Sequence, residues 1–375
     1  MNLPRSLLAA FLRLFVNNEQ TSLPLPVHTV KKILVLRYDK LGDMVVTTPM
    51  LRLLQERLPH AELHVLASPR NAALLAHDTT ITTTHVWDGS WQALMRLART
   101  LRRERFDLVF CTVFYKMTTM GAVTNLLVGR KPCKITLREQ RADKYAVWFN
   151  AQIPLEREQP MSALLVQLVC AAFGWPYTPA MTRFHVVTAE AHRTAAQHWF
   201  EHEVGANECV LYNLSAGAPY RQWSFERHEA FLRAFSAAFP ALQIVINATG
   251  SERPSAERLA ALFHAVRVLP ATEDIVQLCA YVACVDAVIT PDTSITHIAN
   301  AAHKPLVVMC TQLSGGAQWL PFGVPYRAVL ADGDAPVESI RPEQVMAAFA
   351  ELYQHYHAQH KGREQHEQQP SSYAP

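Results

Sequence analysis

Glycine is scarce in this chain, 13 residues among 375, and prolines outnumber it at 23. Collagen-like and glycine-rich low-complexity organisation are thereby excluded, and no repeat at a solenoid or propeller period takes their place. The seven cysteines (Cys111, Cys133, Cys170, Cys209, Cys279, Cys284 and Cys310) are an odd set with no CxxC pair, mostly in apolar runs such as LVFC and LVVMC. They read as reduced core thiols of a cytosolic protein, not as a disulfide framework. Cys279 and Cys284 have no histidine pair nearby, so no structural metal is expected. A GxGxxG sequence is also missing, which removes the dinucleotide-binding fingerprint.

What remains is an ordinary globular composition, 50% hydrophobic and 18% charged, on a chain long enough for two domains. The net charge of +3 conceals an asymmetry. Residues 1–150 hold 21 Lys and Arg against 11 Asp and Glu, whereas residues 151–375 hold 14 against 21. The basic half points to an anionic partner such as a membrane surface or a phosphorylated substrate, although solvated arginines, as in RLARTLRRER at 96–105, account for part of it. Scattered cations without interleaved aromatics or a reader motif argue against nucleic acid.

The first residues, RSLLAAFLRLFVNN, are too short an apolar run to span a bilayer, and no small-residue cleavage site follows. On a helix, Arg5, Ser6, Arg13 and Asn17 share one side and Leu8, Phe11, Leu12 and Phe15 the other. That pattern suits either a membrane interface or a protein surface. The other end, rich in Gln and His from about residue 355, reads as a disordered tail.

Between the ends, apolar strands alternate with helices. KKILVLR (31–37), ELHVLAS (62–68) and FDLVFCTVF (106–114) predict buried parallel strands, with helices expected over 47–58, from 71, over 91–105 and over 117–128. The alternation restarts after WPYTPAMTRF (175–184), a two-proline linker. Strands are expected at 208–216, 243–249, 287–290 and 305–310, with helices between them. The fold class is therefore α/β, two Rossmann-like domains with parallel sheets and an interdomain cleft. The expected divisions are an amphipathic segment 1–30, a first domain 31–178, a second 179–352 and a tail 353–375.

At the end of the first strand, LRYDKLGDMVVTTPMLRLL places Gly42 and Asp43 just before a helix, at the mouth of the expected cleft. On position alone Asp43 reads equally as a helix N-cap or as a catalytic carboxylate.

This stretch, continued through QERLPHAELHVLASPRNAALL, closely resembles the opening of glycosyltransferase family 9, the family of the lipopolysaccharide heptosyltransferases. NLSAGAPYRQWSFERHEAFLRAF, ITPDTSITHIANAAHKPLVVMC and QWLPFG resemble its later motifs, in order, from about residue 31 to 345. The resemblance implies a GT-B enzyme, inverting and metal-independent, with no cofactor. Acceptor would bind the first domain and nucleotide-sugar the second. It makes Asp43 the base. It assigns the donor to the loop with Ser215 and Gly217, to Arg221, to Glu252 at the ribose, to Asp292, Thr293 and Ser294 at a helix start, and to His297. Lys40, Arg130, Lys131 and Lys134 are the cations expected to meet an acidic acceptor, with Asp39 beside Lys40. Ser294 departs from the glycine usual in characterised heptosyltransferases, which puts the sugar in doubt.

Transfer of heptose from ADP-heptose to a lipopolysaccharide core precursor, by a cytoplasmic protein peripherally associated with the inner membrane, is the resulting expectation. A same-fold transferase using another nucleotide-sugar, for O-antigen, capsule or glycoprotein synthesis, stands as the alternative, as does a non-catalytic nucleotide-sugar-binding protein.

Overall fold

A computed structural model describes residues 16, 18–114, 117–138, 145–154, 158–272, 274–311 and 316–367, without the side chains of 316, 317 and 357–367. The amphipathic stretch at 1–15 lies outside the described residues. The chain forms two compact units, Met1–Val187 and Thr188–Pro375.

The first unit is a six-stranded sheet built from β1 (Lys32–Arg37), β2 (Glu62–Ala67), β3 (Thr83–Val86), β4 (Leu108–Cys111), β5 (Cys133–Leu137) and β6 (Ala151–Ile153), in the order β3-β2-β1-β4-β5-β6. All pairings are parallel. Its helices are α1 (Leu41–Arg57), α2 (Trp91–Glu104), α3 (Met117–Val128) and α4 (Met161–Phe173). Between its end residues, central strand β1 is apolar because both its faces are covered; Ile33, Leu34, Val35 and Leu36 are buried. Helix α3 approaches the chain at Trp148 so closely that a Cβ on Gly121 would lie 2.5 Å from that side chain.

The second unit repeats the plan with β7 (Cys209–Asn213), β8 (Gln243–Asn247), β9 (Val266–Val268), β10 (Ala287–Pro291), β11 (Leu306–Cys310) and β12 (Tyr326–Leu330). The order is β12-β11-β10-β7-β8-β9, again wholly parallel. Helices α5 (Glu190–Glu203), α6 (Phe225–Ala238), α7 (Arg253–Leu262), α8 (Ile275–Cys284), α9 (Ser294–Ala301) and α10 (Pro342–Glu367) complete it.

Several expectations change. Helix α1 begins at Leu41, six residues earlier than its apolar period indicates, and carries Pro49 in its interior. Pro49 has no N–H to offer the carbonyl four residues back, and the Thr48 hydroxyl donates to that Val45 oxygen at 2.8 Å instead. The helix expected from Asn71 is a single 3-10 turn, Ala72–Leu75. The division between units falls after Val187, not at 178. Residues after 178 stay on the first unit: Arg183 grips both Glu56 carboxylate oxygens and His185 N–H donates to Thr48. Nor does the chain lose regular structure at 353, where a disordered tail is expected. Helix α10 continues through Glu367, and Tyr353 stacks on Phe349 while its hydroxyl donates to Glu208 at 2.6 Å.

Candidate active site

In a parallel sheet, ligands meet the loops that leave the carboxyl ends of the strands. In the first unit the loop from β1 to α1 carries Asp43. Lys40 is the N-cap and Asp43 the third helical residue, so Asp43 is not itself the cap. Its Oδ2 instead accepts from the Lys40 backbone N–H at 3.2 Å. Lys40 is exposed. Two neighbours fix the loop. Asn71, fully buried, donates to the carbonyls of Arg37 and Lys40, and Thr47 Oγ1 donates to the Asp43 carbonyl at 2.7 Å.

Behind Asp43 lies a buried ion pair. Arg37, 1% exposed, donates through Nη1 to Asp39 Oδ2 at 3.0 Å and through Nε to Thr47 at 2.8 Å. Its Nη2 and the Asp39 Oδ1 have no partner, an uncommon condition for buried polar atoms. Burial pushes the Asp43 carboxyl up to about 6; the Arg37 guanidinium opposes this, and the Asp39 carboxylate adds to it.

In the second unit, Ser215, Gly217, Arg221, Glu252, Asp292, Thr293, Ser294 and His297 all follow the carboxyl ends of the adjacent strands β10, β7 and β8. Asn213 ties these ends together. Its Nδ2 donates to Ser215 O, Thr290 Oγ1 and Thr293 Oγ1, and its Oδ1 accepts from Ser215 N–H and Asn247 Nδ2. Ser215 Oγ meets the Thr249 backbone N–H at 2.8 Å. Arg221 donates to the Asp292 carbonyl at 2.5 Å with the Asp292 carboxylate 3.5 Å away, and its buried Nε has no partner.

Thr293 caps α9, accepting from Ile295 N–H at 3.3 Å. His297 lies one turn further, edge-on to Trp319, and burial pushes its imidazole down to about 4, so it is neutral at pH 7. Glu252 lines a cavity of about 280 Å³ together with Leu214, Gln222, Trp223, Phe225 and His228. Trp223 is structural, donating its indole N–H to the carbonyls of Val337 and Ile340.

A family profile described as glycosyltransferase family 9 (heptosyltransferase) matches residues 94–316. The chain belongs to glycosyltransferase family 9. No match is found among curated protein sequences. Similar solved structures include a family 9 glycosyl transferase from Veillonella parvula DSM 2008, 16% identical, covering 88% of this chain and 99% of that one with a TM-score of 0.71. The E. coli heptosyltransferase WaaC with ADP is 16% identical, covering 86% and 98% with a TM-score of 0.67. The E. coli ADP-heptose lps heptosyltransferase II is 19% identical, covering 87% and 99% with a TM-score of 0.65. The two parallel α/β sheets of this glycosyltransferase are thus those of the GT-B fold.

Three of the cations expected to meet the acceptor lie away from the Asp43 loop. Arg130 and Lys131 precede β5 and Lys134 lies near its start, so all three sit at the amino end of the sheet, opposite the Asp43 loop. Lys134 is fully buried, donating to Asn18 Oδ1 and to the carbonyls of Arg130 and Pro132. Burial pushes its ammonium down to about 8. It pins residue 18 to the first unit and presents nothing to a ligand.

Sequence reasoning missed Arg37, Asn71, Asn213 and Asn247. Their signal was present, since Arg37 and both strand-end asparagines interrupt or close apolar runs. Among the described residues, Glu62, His64 and Glu104 form a group with metal-ligand spacing, but the Lys32 ammonium already bridges the two carboxylates at 2.8 and 2.9 Å. None of the described helices is long and apolar enough to cross a membrane.

Proposed function

We propose that this glycosyltransferase moves heptose from ADP-heptose to an anionic glycolipid of the lipopolysaccharide-core type, with inversion and without a metal. The observation that carries the reading is Asp43, a carboxylate raised toward neutrality at the carboxyl end of the first sheet in a loop held by Arg37, Thr47 and Asn71.

The acceptor hydroxyl attacks the anomeric carbon from the face opposite the diphosphate. As the new C–O bond forms and the bond to the diphosphate oxygen breaks, Asp43 takes the hydroxyl proton. A base near pKa 6 is ionised at pH 7 yet closer in proton affinity to the emerging acid than an ordinary aspartate. ADP leaves with its added negative charge. Arg221 and the amino end of α9, at Asp292, Thr293 and Ser294, receive that charge. The unpartnered Arg221 Nε is a donor still to be satisfied. Ser215 and Gly217 border the diphosphate, Glu252 binds the ribose, and neutral His297 acts as a hydrogen-bonding group toward the sugar. Lys40, exposed beside Asp43, meets the acidic acceptor.

The choice of ADP-heptose draws support from the E. coli heptosyltransferase WaaC, whose structures were obtained with ADP and with ADP-2-deoxy-2-fluoro heptose. Ser294, where a glycine is usual, favours the second reading, another sugar on the same chemistry. Thermal melting with ADP, UDP, GDP and their sugars separates the two. Saturation at 100 Kd stabilises the native state by about 2.7 kcal/mol. Selective stabilisation by ADP and ADP-heptose, lost in Arg221→Ala, is the expected result; selectivity for UDP or GDP moves the donor.

A further inference from the structure

Helix α2 has no acid on its outer surface. At about 100° per residue, one half of its circumference carries Trp91, Gln92, Arg96, Arg99, Arg102 and Arg103, all exposed, while Ala93, Leu94, Ala98 and Leu101 are buried against the unit. The helix's single carboxylate, Glu104, lies on the inner half and is bound by Lys32 at 2.9 Å. The four outer arginines therefore have no acid among them on their own helix.

Two further features extend this surface. Trp91, in the first turn, is 67% exposed, and Val86, which ends β3 five residues earlier, is 44% exposed. An aromatic so little covered gains almost nothing from the fold. At the other end Arg105 occupies the left-handed C-cap position with φ 55°, where glycine is the unstrained choice. The exposed Arg130 and Lys131 follow α3, whose Leu126 carbonyl accepts from Arg102 Nε at 3.0 Å.

We infer that the outer face of α2 is the surface by which the first unit rests on an anionic phospholipid membrane. The helix lies in the membrane plane, Trp91 enters the interface and the arginines meet lipid phosphates. Charge complementarity names the partner class: a helix face of four arginines without an acid, led by an exposed Trp, complements the phosphates of an anionic lipid surface. The orientation is also productive. Helix α2 starts at the carboxyl end of the sheet, the end that carries Asp43, so a lipid-borne acceptor need not pass beneath the domain to reach the base. This inference rests on the glycolipid reading for its purpose but not for its test.

The test is co-sedimentation of the full chain with vesicles of phosphatidylcholine alone or mixed with phosphatidylglycerol, with no donor or acceptor present. An Arg near an anionic surface contributes about fivefold in partitioning, so R96Q/R99Q/R103Q together are expected to weaken binding to the mixed vesicles roughly a hundredfold. Trp91→Ala is expected to weaken it by a smaller factor that salt does not abolish. Unchanged melting temperature and circular dichroism in the variants show that the fold is intact. A triple variant that sediments like wild type, wild type that ignores both vesicle types, or preference for a short DNA duplex over anionic vesicles overturns the inference. Because sugar transfer is not measured, failure of the donor or acceptor assignment leaves this result untouched.

Discussion

Acidification should unfold the two units unequally. In the second unit His228 and His297 are 6% and 7% exposed, and burial pushes each imidazole down to about 4 from the ordinary 6.5. Between those pH values the unfolded chain binds a proton that the native fold refuses. Stability is therefore full above pH 6.5 and is lost as pH falls toward 4. Each tenfold loss of proton affinity is worth about 1.4 kcal/mol, so two histidines lowered from 6.5 to about 4 give an upper bound of about 7 kcal/mol, comparable to the stability of a whole domain. Among the described residues, the first unit holds one group pushed so far, His85, taken to about 4 by burial and by His64, with His64 itself lowered. Asp43 has the opposite sign. Its raised value makes the native state bind the extra proton between about 4 and 6, so acid stabilises it and offsets much of the His85 loss. Hydrogen exchange read by mass spectrometry from pH 7.5 to 4.5 should show protection lost first across residues 188–356. His228→Gln, which keeps a polar partner for the Tyr212 hydroxyl that meets His228 Nδ1, should flatten that loss. Uniform protection down to pH 4.5, or earlier loss from the first unit, would refute the reasoning.

Lys134→Met should lower stability by about 1–3 kcal/mol, because the Asn18 side chain, the buried Pro132 carbonyl and the part-buried Arg130 carbonyl lose their donor, while leaving the KM for acceptor unchanged. Denaturant titration beside a transfer assay reads both, and a raised KM with normal stability would return Lys134 to the acceptor site. Gly217→Ala should leave the melting temperature within a degree or so of wild type, since a Cβ there meets nothing within 4 Å, yet weaken ADP binding if the donor passes that loop. Undiminished ADP affinity would remove Gly217 from the donor site.

Much of the architecture was legible because parallel strands covered on both faces are apolar runs, and runs of this kind are hard to mistake when helices separate them. KKILVLR and PLVVMC are examples. Where the chain was misread, a competing local interaction had won. The apolar period of α1 starts late because its first turn, Leu41 to Asp43, is organised by the Lys40 cap and the Asp43 carboxylate. The Gln- and His-rich end continues as helix through Glu367, and Tyr353 packs on Phe349 at the last turns of the core. At the candidate site, residues that follow strand ends were readable by order along the chain. The partners holding them were not. Asn71 lies 34 positions from the Arg37 carbonyl it binds, and Asn213 lies 77 from Thr290, distances that only the folded sheet removes. Arg130 and Lys131, read as acceptor cations, enter β5 at the amino end of the sheet, a placement that charge alone does not reveal.

The central claim is that Asp43 takes the acceptor proton, and Asp43→Asn tests it most directly. Asn retains an oxygen for the Lys40 N–H and hence the helix start, but it accepts no proton at neutral pH. Release of ADP from ADP-heptose in the presence of a lipopolysaccharide-core acceptor should fall by about 10² or more, while ADP still raises the melting temperature as in wild type. Transfer within a few-fold of wild type in the variant would contradict the account and leave Asp43 with a capping role alone.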